Sequence, residues 1–286
     1  MENNNSLKKE HKFFDKHLIL GLIVMMFGSM LLSQGVLGFL IGLAINHFTG
    51  MDSHTAVVFG AAIGGLIMLF FHFIWFRPEY KWRPTKKEFF TACKFVSPIL
   101  IFWTVNFTLD GFFAGRFPFG AISAAAFGTT LAAGVAEEVA FRELPISYMA
   151  RRWTDEKYIL AMVLIPGIVF GLMHLTNALL GSMGSTVGAR DIWGCMRQAT
   201  LSIFFGIFFS AVYVRTACIW PLLITHILHD ALVLSASAYI EDVPDWMMIV
   251  WFVIEGGLAL YGLYLVRKEK HREIMALWNR KWSRTL

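Results

Sequence analysis

Charge is what this sequence has little of. Asp, Glu, Lys and Arg supply 16% of its 286 residues, against about 25% in an ordinary soluble domain, while 57% are hydrophobic and the mean hydropathy is +0.59. That balance excludes a water-soluble globular domain and implies a polytopic membrane protein. Cysteine is scarce as well. Cys93, Cys195 and Cys218 are an odd number with no CxxC spacing, which argues against a disulfide framework and against a zinc–thiolate site. HExxH is absent, as are a clear internal repeat, a low-complexity tract and a second domain. The opening MENNNSLKKEHKFFDKH is too polar and too long for the start of a cleaved signal peptide, so the first apolar run is expected to be retained.

What is present is a series of apolar runs. A helix needs roughly 20 apolar residues to cross the hydrocarbon core, and runs of that kind lie near 18–46, 55–76, 89–108, 119–147, 159–180, 198–216, 219–240 and 246–266. The fold class expected is therefore all-α, with about eight transmembrane helices. A tail over 1–17 precedes a single transmembrane domain over 18–266, and a basic amphipathic tail over 267–286 follows. Twenty of the 25 Lys and Arg residues fall on one side of this arrangement and three on the other, with Lys94 and Arg142 inside spans. Short cytoplasmic loops retain positive charge, so both termini are expected in the cytoplasm and the protein in the plasma membrane. The net charge of +5 follows from that topology and requires no nucleic acid. In the tail, REIMALWNRKW places Ile274, Trp278 and Trp282 at i, i+4 and i+8, the pattern of a helix lying on anionic lipid or of a solvated charged tail. GxxxG spacings at Gly38/Gly42 and Gly60/Gly64 would allow helices to approach closely.

Ionisable groups at membrane depth cost at least roughly 2.5–3.5 kcal/mol each on insertion scales, so each is a functional candidate. GVAEEVAFRELP, residues 134–145, puts Glu137, Glu138 and Arg142 in the fourth run; FGLMH puts Phe170 and His174 in the fifth; HILHD puts His226 and Asp230 in the seventh. Glu138 and Arg142 are i,i+4 and can pair on a helix. Glu137 points about 100° away and lacks that partner, and desolvation makes such a carboxylate a stronger base. His226 and Asp230, also i,i+4, can face one cavity, and His229 can join them or face a neighbouring helix. A lone His72 reads as a packing residue.

In this order, EExxxR, FxxxH and HxxxD resemble the motifs of the CPBP intramembrane proteases, which include type II CAAX prenyl endopeptidases and bacterial bacteriocin-processing or self-immunity proteins. The resemblance covers about 120–235. It implies a catalytic cavity between helices 4, 5 and 7, with Glu137 activating water and His174 a catalytic histidine. His226 and Asp230 would bind a metal or stabilise the oxyanion. Glu138 and Arg142 would form a lock, with Phe170 packed beside the site. Prenyl endopeptidases of the family carry Asn where this chain has Asp230; an amide can donate to an oxyanion, whereas an ionised Asp230 suits a metal ligand or a carboxylate that orients His226. Bacterial members carry Asp there.

The function expected is hydrolysis of a peptide bond in a membrane-associated or lipid-anchored peptide. His174, His226 and Asp230 could hold a divalent metal, zinc among them, or the chemistry could be metal-free; the dry Glu137 favours the second. A non-proteolytic immunity or scaffold protein, or an ion or proton transporter, is the alternative, although the paired halves of a transporter are absent. The cavity is expected to open toward the cytoplasm and sideways into lipid. GSMGSTVGARDIWG, on the other side, could partly cover it. Partners are the peptide substrate and the bilayer; the sequence sets neither the substrate's identity nor the oligomeric state.

Overall fold

The computed structural model describes residues 16–75, 79–113, 115, 120–176, 192–237 and 245–283. The tail before residue 16 and residues 181–191 of the loop just named lie outside them. Among the described residues, and apart from two single 3-10 turns, nine helical stretches follow one another: α1 (Leu18–Thr49), α2 (Ser53–Trp75), α3 (Lys86–Phe113), α4 (124–152), α5 (Ile159–Met173), α6 (Ile192–Thr216), α7 (Trp220–Ser237), α8 (Asp245–Leu265) and α9 (His271–Lys281). No strand occurs among the described residues. The first eight fall on the eight apolar runs. Among the described residues, five of the helices could cross a membrane by length and composition, α1, α2, α3, α5 and α6, or six if α8 is counted with α9, against which it bends by 47°. α7 is apolar but shorter. α4 falls outside that set because Glu137, Glu138, Arg142 and Glu143 interrupt its apolar character.

Local chemistry sets the ends. Ser123 Oγ accepts from Ala126 N–H at 3.1 Å and caps α4. At the start of α3, Glu88 N–H donates to Thr85 Oγ1 and Thr85 N–H to Glu88 Oε2, a reciprocal capping box. α4 is not regular throughout: Ala124–Glu138 passes through a wide π turn, Val139–Glu143, into Leu144–Arg152, and such turns often occur at functional sites.

α5 packs along α6, α1 along α2, α2 along α4, and α7 between α3 and α4. Glycines make two of these crossings possible. A Cβ on Gly60 would stand 2.4 Å from Gly38 O and 2.7 Å from Gly42 N, so the GxxxG pair of α1 meets that of α2 backbone to backbone. On the α5–α6 crossing, a Cβ on Gly206 would stand 2.4 Å from Gly167 O.

One end of the bundle gathers the basic segments. There Lys281 Nζ pairs with Glu88 at 3.0 Å, Arg151 Nη2 with Glu79 at 3.6 Å and Arg215 with Glu273. The apolar stripe of α9 points into the protein: Ile274 and Trp278 are fully buried, Trp282 nearly so, and Trp278 Nε1–H donates to Val214 O at 2.9 Å. The expectation of a lipid-facing or solvated tail is corrected for these three residues. The stripe has a better apolar partner in the ends of α6 and in Tyr80, whose ring lies 4.7 Å from that of Trp282.

Candidate active site

Just before the wide turn of α4, two carboxylates stand side by side in the sequence with different surroundings. Glu138 is fully buried, and its Oε1 lies 2.9 Å from Arg142 Nη1, as the i,i+4 spacing predicts. The same oxygen accepts from His226 Nδ1–H at 2.8 Å. Arg142 is held by charge and by ring faces rather than by aligned hydrogen bonds: its guanidinium carbon stands 4.2 Å from the centroid of Phe170 and about 6 Å from those of Phe205 and Phe209. Phe170 thus touches the clamp as well as packing beside the site.

Glu137 faces the other way, into a cavity of about 840 Å³ that it shares with Phe170, His174, His226 and Asp230. Its side chain keeps 20% exposure. His174 ends α5, and its Nδ1–H donates to Phe170 O at 3.1 Å. A carbonyl only accepts, so neutral His174 carries its proton on Nδ1 and leaves Nε2 as an acceptor for the cavity. His226 is constrained at the same nitrogen by Glu138: Nδ1 is committed, and Nε2 lies 3.8 Å from Glu137 Oε2 and 3.6 Å from Asp230 Oδ2. Asp230 Oδ1 in turn accepts from His229 Nδ1–H at 3.0 Å. His229 therefore joins the site through Asp230.

Helix depth counted along the sequence leaves His174 deeper than His226. The structure brings both to the same cavity. From Glu137 the lining follows Ala133 and Thr129 along α4, Asp230 and Val233 along α7, and Arg197 and Gly194 near the start of α6, all away from the basic end. Toward the basic end the cavity is closed by Phe141, Phe170 and Phe205, which are 1–5% exposed. Arg142 and Glu143 fill that side, and buried charges there need protein partners instead of solvent.

A second buried polar cluster was not legible in the sequence. Glu143, one residue past the arginine of the motif, lies 3.2 Å from His72 Nε2, accepts from Tyr80 at 3.2 Å and from Tyr213, and Ser147 completes the set. His72 is a packing residue with a carboxylate neighbour. A third acid on that α4 segment was the available signal. Glu255 of α8 and Trp103 of α3, which also line the cavity, carried no motif.

Among the described residues no three His, Cys, Asp or Glu side chains are grouped to hold a metal ion, the set His174, His226 and Asp230 included. What the arrangement offers by itself is a carboxylate base, an imidazole acceptor and a second imidazole between carboxylates, in a cavity with aromatic walls.

Residues 118–232 match the model of the family described as type II CAAX prenyl endopeptidase Rce1-like. No curated protein and no solved structure matches the chain.

Proposed function

We propose, from the match of residues 118–232 to the type II CAAX prenyl endopeptidase Rce1-like family, that the chain is a protease of that kind and hydrolyses a peptide bond of a membrane-associated peptide with a water activated by Glu137. On this reading the protein is an intramembrane endopeptidase of the CAAX protease kind. One observation carries it: Glu137, His174, His226 and Asp230, from three helices, face one cavity, while Glu138 and Arg142 are sealed behind them.

Glu137 takes a proton from water as its oxygen attacks the scissile carbonyl. His174, with Nε2 free to accept, holds the water's other hydrogen and so aims its lone pair. His226, fixed by Glu138 at Nδ1 and protonated at Nε2, donates to the developing oxyanion. Asp230 cannot donate as an amide would. It keeps His226 in place and offsets its charge, and is itself held by His229. Collapse breaks the C–N bond, and the proton on Glu137 passes to the leaving amine. The buried Glu138–Arg142 pair spans the wide turn that follows the two glutamates and fixes Glu138 behind the cavity, so that one glutamate orients and the other reacts. The same preorganisation would serve a substrate tethered by a lipid anchor, which the bilayer delivers alongside the cavity.

The test is to incubate the protein in nanodiscs with membrane-anchored peptides in water enriched in oxygen-18. Products with one heavy oxygen in the new carboxylate support the reading. Intact peptides across a panel of anchors and sequences overturn it.

A further inference from the structure

Glu255, midway along α8, takes no part in the reaction outlined above, yet it is 2% exposed and lines the same cavity. Trp103 Nε1–H donates to its Oε1 at 3.0 Å. Its Oε2 is buried without a hydrogen-bond partner, and so are Trp251 Nε1 and His229 Nε2, both on cavity-lining residues. The rings lie close together: Trp103 is 5.3 Å from Trp251 and 5.2 Å from His229, and Phe205 is 5.1 Å from His229. One flank of the cavity is thus a carboxylate set among indole, imidazole and phenyl rings.

A carboxylate withdrawn from water is costly unless a partner of opposite charge or a full set of donors replaces the water. Among the described residues Glu255 has one hydrogen-bond donor, the Trp103 indole N–H, with the His229 imidazole as a charge neighbour. Among the described residues, the one Lys or Arg that lines the cavity is Arg197, and it is exposed near the start of α6. The other acids there, Glu137 and Asp230, have the same sign as Glu255. Indole faces attract cations and are the best side chains for the purpose. The chemistry of this flank is that of a receptor for an organic cation, and the protein does not supply the cation.

We propose that Glu255, with Trp103 and Trp251, forms a subsite for the ammonium or guanidinium group of a basic peptide substrate. The inference rests on the endopeptidase reading and adds a specificity to it: the residue seated here lies within the same cavity as Glu137, so a basic position close to the scissile bond is selected. Glu255 is a specificity residue and does not touch the reacting atoms.

The experiment uses the full chain in nanodiscs and three acetylated or free peptide amides of one sequence. One carries a single lysine, one has norleucine in its place, and one is the norleucine peptide with a free amino terminus. Affinity is read in a Glu137→Gln background, where turnover is removed, and kcat/KM in the otherwise unaltered protein. The lysine peptide is expected to bind at least about tenfold more tightly than its norleucine twin, and Glu255→Gln, which keeps the acceptor for Trp103, is expected to abolish the difference. A gain for the free amino terminus instead assigns the same subsite to that amine. Equal affinity for all three, or a lysine preference that survives Glu255→Gln, overturns the proposal. If Glu255→Gln does not fold, the lysine–norleucine comparison on native Glu255 decides alone. Preference in binding without cleavage of any peptide would sink the endopeptidase reading and leave the subsite; cleavage without preference would do the reverse.

Discussion

Glu138 Oε1 stands between Arg142 Nη1 at 2.9 Å and His226 Nδ1 at 2.8 Å, so one oxygen both neutralises a buried cation and aims a ring. Removing one member of a buried pair strands the other charge and costs about 3–5 kcal/mol. Glu138→Gln is therefore expected to lower the melting temperature and the cleavage rate together, whereas Glu137→Gln lowers the rate at an unchanged melting temperature. Thermal unfolding and rate measured on both variants check this; a stable, active Glu138→Gln would contradict it. Cys218, in the connection between α6 and α7, gives a prediction in pH. Burial pushes its thiol up to about 12, against about 8.5 for an exposed thiol. Between those values the unfolded chain has lost the proton and the folded one has kept it, so this group's contribution to stability declines as pH rises from about 8.5 toward 12. At pH 7.5 N-ethylmaleimide is expected to reach Cys218 only after denaturation, and mass spectrometry of native, labelled protein reads the outcome. At this scale the sequence already names Glu137, Glu138, Arg142, Phe170, His174, His226 and Asp230, because ionisable groups stand out in apolar runs and the i,i+4 rule finds partners on one helix. It misses the Glu138–His226 bond and the Glu143 cluster, whose partners are 88 residues away in one case and 63 and 70 in the other. Periodicity along one helix carries no information about a different helix.

α5 brings His174 to the cavity by lying against α6, and the contact depends on Gly167 and Gly206 having no side chains. A Cβ on Gly206 would meet backbone, Gly167 O at 2.4 Å and Gly167 Cα at 3.0 Å, which cannot give way as a flexible side chain would. Overpacking of this kind costs typically about 1–3 kcal/mol. Gly206→Val is expected to lower the melting temperature and, in whatever fraction still folds, to move His174 off the water and reduce kcat more than it raises KM. Full activity and stability in that variant would mean that the crossing does not set the site. The glycine pairs of α1 and α2 are legible from the sequence, because their GxxxG spacing is regular. The α5 side of the α5–α6 crossing has the same spacing, Gly167 and Gly171, but its meeting with Gly206 and Ile203 of α6 emerges only when the helices are packed. α9 shows the same limit in another form: its amphipathic stripe is plain in REIMALWNRKW, but a stripe does not tell lipid from the ends of α6.

Over the whole molecule, the basic segments collect at one end and the cavity leads to the other. Positive charge is retained in the cytoplasm; with the basic end there, a cavity lined as far as Arg197 would be reached from the outer half of the bundle, and the substrate of the proposed reaction would approach from that side. In a cysteine-free background, Arg197→Cys is expected to react with a membrane-impermeant maleimide applied to intact cells, and Lys157→Cys to react only after lysis. The reverse pattern would invert the orientation and return the cavity to the cytoplasm. The count of crossing helices was the least legible feature at this scale, since α4 and α7 carry the polar residues of the site and lose the apolar length that marks a span.

The measurement that bears most directly on the account is the rate of cleavage of one anchored peptide in nanodiscs by the native protein, Glu137→Gln and His174→Ala, each with and without a chelator. The account predicts a loss of about 10²–10⁴-fold for each variant, the range of general acid–base contributions, with melting temperatures close to that of the native protein and with rates unchanged by the chelator. A native rate abolished by the chelator would replace Glu137 with a metal-bound water at the centre of the chemistry, and cleavage that persists in both variants would place the active site elsewhere.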